Sequence, residues 1–251
     1  MDYYTNVVSY GNSILIRGVK NGERITARNK YQPTLFVPVQ KETQYKTLDG
    51  RSLTPVKQES IKHSKEFASQ YSEQQNLIYG MTRYNFQYIS DTWRSDINWK
   101  MEDILVVTID IEVASENGFP DVESAAEEIL LITVQDYTTK QIRTWGRGPF
   151  NNKQANVIYK GFRTEYELLN DFINWWMIET NTPEVVTGWN SELYDMPYLV
   201  RRISRILGEK LMKRLSPWGL VTERETIIMG RKHISYDVGG ITQLDYLNLY
   251  K

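Results

Sequence analysis

Residues 104–114, "ILVVTIDIEVA", are an otherwise apolar run in which apolar and polar positions alternate with a period of two from Val107 to Val113, so that it carries two carboxylates one residue apart. As a β-strand, this stretch puts Leu105, Val107, Ile109, Ile111 and Val113 on one face and Ile104, Val106, Thr108, Asp110 and Glu112 on the other. Similar patterns predict strands in "EEILLITVQDY" (127–137), "QIRTWGRG" (141–148) and "VIYKGF" (157–162), the first two continuing as a meander. The period then changes. "TEYELLNDFINWWMIET" (164–180) opens with Thr164 and Glu167 in capping-box spacing and sets Leu168, Leu169, Phe172, Ile173 and Trp176 on one helical face. "PEVVTGWN" (183–190) reads as a strand running into a loop, and "DMPYLVRRISRILG" (195–208) as a second helix. In that helix Asp195 lies near the N-cap, Pro197 in the first turn and Gly208 at the stop.

The first hundred residues show mostly short strands. "SILIRGVKNGERITARNKY" predicts a hairpin turning at Asn21-Gly22, and "QPTLFVPVQ" (32–40) an edge strand. Asp49-Gly50 marks another turn, 58–74 a surface helix, and "RYNFQYIS" (83–90) a further strand. The polar stretch 91–103 is the best boundary in the chain. "RETIIMGRKHISY" (224–236) predicts a late hairpin turning near Met229-Gly230-Arg231. The expected class is α/β (α+β), a mixed sheet with helices packed on it after a β-rich first part.

Two acids on one strand face repel each other and lose hydration. Either a divalent cation compensates, since hard oxygen ligands suit Mg2+ or Mn2+, or the strand ends there with both acids in water. Asp195 is likewise open between an ordinary helix cap, worth about 1 kcal/mol, and a third member of the acidic group. Composition narrows the chemistry. The chain has no cysteine and two histidines, so thiol catalysis, thiolate sites and His-clustered zinc have little to work with. Thirty Lys+Arg against 31 Asp+Glu leave a net charge of −1, so any nucleic-acid contact must come from a local patch. The N-terminus lacks the basic and apolar regions of a signal peptide, and no apolar run reaches membrane-spanning length.

"DIEV", "GFP" and "EEILLIT" together resemble the first exonuclease motif of family B DNA polymerases, and "VVTGWNSELYDMPYLVRRISRILG" resembles the second. The similarity continues through "KLMKRLSPWGLV" and "LDYLNLYK" and back to "YQPTLF" and "YISDTW", in the manner of the T-even-like phage polymerases. It implies a polymerase N-terminal domain over 1–102, then a ribonuclease-H-like 3′→5′ proofreading exonuclease over 103–251. By that resemblance Asp110, Glu112 and Asp195 are the catalytic and metal-binding acids of a two-metal Mg2+ or Mn2+ site. Asp110 is then shared by both metals, and Asp195 acts mainly through water held at the metal. The implied partners are single-stranded and primer–template DNA, the palm, fingers and thumb of the same polymerase, and a sliding clamp with other replisome proteins. No membrane is implied, and the location is the cytoplasm of an infected bacterial host.

One family feature is missing. No Tyr followed four residues later by Asp occurs after Asp195, so the third motif, which completes the metal cage, is absent. The palm motifs are absent too, so the chain reads as the C-terminally truncated N-terminal portion of a polymerase. Asp245 is expected to be structural rather than a substitute. The competing function is a catalytically inactive module that binds nucleic acid or a replisome protein.

Further candidates for DNA contact surround the acids. Phe119 in "GFP" is read either as a wedge against terminal bases or as a loop residue folded onto the core. Asn190 either bonds the DNA backbone or caps its turn, with the turn favoured. Nine Lys/Arg against three Glu between 201 and 233 make a basic region that suits phosphate, or a solvated face. Arg201, Arg202, Lys213, Arg214, Arg231 and Lys232 are its candidate contacts. By resemblance the 224–236 hairpin helps hold separated strands.

Overall fold

The computed structural model of the chain describes residues 1–115, 118–228 and 230–250, with the side chains of all of these except Gln75, Ile228, Arg231 and Leu249. These form two compact units, Met1–Trp99 and Lys100–Lys251, which part within the polar stretch after residue 91.

In the first unit, β1 (Tyr3–Tyr10), β2 (Ser13–Lys20) and β3 (Glu23–Lys30) make an antiparallel sheet with β2 central. Asn21 and Gly22 take φ of 54° and 78°, the left-handed pair that a two-residue turn between twisted strands requires. A second sheet has the order β4-β6-β5, from β4 (Thr34–Pro38), β5 (Tyr45–Lys46) and β6 (Ser52–Lys57), so β4 is at an edge as expected, while the central β6 carries Pro55. Helix α1 (Ile61–Ser69) is shorter than the expected 58–74, because Ser60 caps it by accepting from the His63 N–H.

The strand expected over 83–90 is a helix, α2 (Tyr84–Thr92). Its aromatic residues suit a strand, but its polar anchors follow helical spacing. Gln87 is buried and bonds both the N–H and the C=O of Thr34, while Tyr31 donates to Gln87 and to Asp91, one turn further along. The unit's core joins Val7, Ile14 and Ile16 to Ile61 and Tyr84.

The second unit is built on a six-stranded sheet of order β10-β9-β8-β7-β11-β14. Its strands are β7 (Val106–Val113), β8 (Ile129–Asp136), β9 (Ile142–Arg147), β10 (Val157–Phe162), β11 (Val185–Gly188) and β14 (Thr242–Asp245). Strands β7, β8 and β9 form the expected antiparallel meander, while β10 runs parallel to β9. On the other side of β7, β11 and then β14 run parallel. A central strand with a meander on one side and parallel strands on the other is a ribonuclease-H-like arrangement.

Helix α3 (Glu165–Trp176) carries the full capping box between Thr164 and Glu167. Its Leu168, Leu169, Phe172, Ile173 and Trp176 are completely buried, each contributing about 2 kcal/mol of apolar transfer. Helix α4 (Asp195–Leu207) buries Met196, Leu199, Val200 and Ile203 in the same core as Ile109 and Ile111. After the short α5 (Glu209–Met212), the hairpin β12 (Val221–Ile228) and β13 (Arg231–Val238) forms a separate two-stranded sheet.

Candidate active site

Strand β7 alternates as its sequence requires: Val107, Ile109 and Ile111 are buried, Asp110 and Glu112 exposed. Strand β11 pairs with β7 only as far as Thr187↔Thr108. Gly188 allows the strands to converge there, because a Cβ would lie 2.8 Å from the Ile109 carbonyl oxygen. Beyond that point β11 turns away and the acidic end of β7 loses its parallel neighbour.

The Ile111 N–H is satisfied from elsewhere. It donates to Asp195 Oδ1 at 3.0 Å. Asp195 is the first residue of α4, with Tyr194 at the cap position, and its side chain does not cap that helix. The ordinary-cap alternative is thereby set aside in favour of a contact with β7. Burial pushes the Asp195 carboxyl up to about 6; the Ile111 N–H opposes the shift, and the charges of Asp110 and Asp245 add to it. Partial burial also raises Asp110, although the residue remains accessible to solvent.

Asp245 has a different job. Its Oδ1 accepts from the N–H groups of Asn190 and Leu247 at 2.9 Å each, and its Oδ2 from the Glu192 N–H at 3.1 Å. It ties the end of β14 to the loop that delivers Asp195, the structural role expected of it. Asn190 belongs to that loop as a turn residue: its φ is 58° and its carbonyl accepts from the Leu193 and Tyr194 N–H groups.

Phe119 is 83% exposed, so it is not folded onto the core, and its ring meets Tyr194 at 4.9 Å between centroids. A cleft of about 630 Å³ runs past Phe119, Glu123 and Leu193 to Lys232 and His233 on β13. Lys232 also pairs with Glu225 at 2.6 Å. Tyr194 is a neighbour the sequence reading missed. Its hydroxyl is pushed up to about 12 by burial and by the charges around it, among them Asp195 and Glu112. An aromatic directly before a helix-opening acid was the available signal.

The basic candidates largely fall elsewhere. Arg202 is a correction: it is buried and paired through both Nε and Nη2 with Glu165, at 2.6 Å each, while Nη1 bonds the Ala125 and Ala126 carbonyls. Such a guanidinium is committed to the protein interior and does not meet DNA. Arg201 is engaged with Glu123 and Glu223. Lys213 pairs with Glu209 at 2.7 Å, and Arg214 lies against Met177 just past the end of α3. That end packs near Leu105 and Val107, where β7 begins, so Lys213 and Arg214 are not brought to the acids. The Arg231 side chain and Met229 lie outside the described residues.

Among the described residues, no three His, Asp or Glu side chains are gathered closely enough to form a coordination sphere by themselves. Among them too, no helix is long and apolar enough to cross a membrane.

Residues 57–251 match the family model for the exonuclease domain of family B DNA polymerases. The whole chain is similar to the DNA-directed DNA polymerases of Enterobacteria phage T4, at 32% identity, and Escherichia phage RB69, at 29%. It spans 30% and 31% of their respective lengths. A shorter similarity, 32% identity over 44% of the chain, relates it to 11% of the DNA polymerase catalytic subunit of Human herpesvirus 6A. Such exonuclease domains are in general metal-dependent. With its mixed sheet and these matches, the chain belongs to the family B DNA polymerase exonuclease domains.

Proposed function

We propose that residues 103–251 hydrolyse single-stranded DNA from the 3′ end as the proofreading part of a DNA polymerase, with 1–102 as its N-terminal domain. The observation that carries this reading is the placement of Asp195. A buried carboxylate has been turned from its own helix to the edge of β7, where the nearby charges that raise its pKa are also carboxylates. Concentrated negative charge of this kind fits divalent cations, with Asp110, Glu112 and Asp195 as hard oxygen donors. When bound, Mg2+ or Mn2+ supplies charge to the reacting phosphodiester and acidifies the attacking water. The chain's own residues seat the substrate. Phe119 and Tyr194 offer stacking faces for the terminal base, and Lys232 in the same cleft offers a cation to a phosphate.

The remaining palm, fingers and thumb, the primer–template and a clamp are the partners of this reading, and the infected bacterial cytoplasm is its setting. Because Asp245 is held by three backbone N–H groups, it does not replace the absent third-motif Asp. The chain by itself is therefore expected to bind a single strand and cleave it far more slowly than a chain extended through that motif. The test is a 5′-labelled single strand with Mn2+, given to this chain, to the extended chain, and to the extended chain carrying Asp110→Ala. Shortening from the 3′ end by the extended chain alone supports the reading. Equal cleavage by the first two would sink the missing-ligand argument, and undiminished cleavage by the Asp110→Ala protein would sink the site. Binding with no cleavage by any form would favour the inactive nucleic-acid-binding module.

A further inference from the structure

Five consecutive carbonyls, those of residues 123–127, are each capped by a side chain of α4. Arg201 Nη1 donates to the Glu123 oxygen at 2.7 Å and Arg205 Nη1 to that of Ser124 at 3.1 Å. Arg202 Nη1 reaches Ala125 and Ala126 at 3.0 and 2.7 Å, and the Tyr198 hydroxyl reaches Glu127 at 2.7 Å. Positions 198, 201, 202 and 205 fall on one helical face, so a single stripe satisfies a segment that leads into β8 without a strand partner of its own. Four of the five contacts come from a guanidinium and are charge-assisted.

Arg201 does more than the others. Its Nη2 bonds Glu223 Oε2 on β12 at 3.1 Å, and the same oxygen accepts the Tyr236 hydroxyl of β13 at 2.7 Å. One side chain thus holds the loop four residues after Phe119, the base of the hairpin that carries Lys232, and the helix that begins at Asp195. The first two are the walls of the cleft between Phe119 and Lys232, and the third is the helix that opens with Asp195.

We propose that Arg201 is a positioning residue, a clasp that fixes the Phe119 loop and the β12–β13 hairpin to α4 so that the cleft holds a terminal base in one place. Its role in seating a base rests on the exonuclease reading; the clasp itself does not.

Hydrogen exchange on the full chain reads the clasp directly. Losing charge-assisted bonds of this kind accelerates exchange about tenfold. Arg201→Ala is expected to do so in both 118–127 and the 221–238 hairpin, Arg205→Ala only in the first, and Glu223→Ala only in the second. Should Arg201→Ala fail to fold, Arg201→Lys, which cannot span both partners, and Glu223→Ala carry the test. The second readout is a single strand ending in 2-aminopurine, bound in EDTA. Wild type should quench its emission by stacking, Phe119→Ala should not, and Arg201→Ala should lose most of the quenching while still binding. Wild-type exchange in both segments of the Arg201→Ala protein would overturn the clasp, and wild-type quenching by that protein would overturn its seating role. A wild-type protein that binds no single strand would contradict the exonuclease reading, while the exchange pattern would still decide the clasp.

Discussion

Burial, with the charges of Asp110 and Asp245, lifts the Asp195 carboxyl to about 6 against an ordinary value of 3.8, despite the opposing Ile111 N–H. The folded protein therefore holds this proton more tightly than the unfolded chain does. Without metal, the stability attached to Asp195 is present below about pH 4, declines as pH rises and is lost above about pH 6. The gap corresponds to about 3 kcal/mol. Asp195→Asn keeps an acceptor for Ile111 and removes the charge. In urea denaturation with EDTA, its gain over wild type is expected to be near zero at pH 4 and largest at pH 7–8; a constant difference across that range would contradict the burial argument. Arg202→Met tests the opposite kind of residue. It strands Glu165, which also accepts the Ile129 N–H, and should cost about 3–5 kcal/mol in the same measurement. Single-strand affinity of the protein that remains folded should not change, since Arg202 faces inward.

At the scale of elements, period and turn chemistry were legible in the sequence wherever local pattern and packing agree. The capping box of α3, the Asn21-Gly22 hairpin and the one-sided acids of β7 are cases of that agreement. Where a single tertiary contact decides, the sequence was misleading. The α2 segment has strand-like aromatics, but the bonds from Gln87 to Thr34 select a helix, and nothing local announces them. The arginines of α4 look like a phosphate-binding run because a guanidinium committed to carbonyls reads the same as one open to solvent. Asp195 looks like a cap because a residue at a helix start gives no sign that its side chain turns to another strand. Gln87→Ala should accordingly cost about 2 kcal/mol or more, by leaving the Thr34 N–H and C=O without partners. Its effect should appear in exchange of β4 and α2 amides and leave those of β7 unchanged.

For the molecule as a whole, two compact units parting at Trp99 and Lys100 make the intervening chain the place to cut. Limited proteolysis should nick first within 93–100 or within the exposed loop 148–156, both outside regular structure. First cleavage inside 104–113 would contradict that division. Asp110 and Glu112 on β7 and Asp195 at the start of α4, bonded to the Ile111 N–H, are the chain's candidate hard oxygen donors, so cation binding is the property from which the rest follows. Manganese titration followed by electron paramagnetic resonance measures it without requiring turnover. The expected result is weak but saturable binding that strengthens as pH rises through about 6, where Asp195 loses its proton, and that Asp110→Asn or Asp195→Asn abolishes. Binding unchanged by either substitution, or independent of pH across that range, would contradict the assignment of β7 and α4 as the two sides of a metal site.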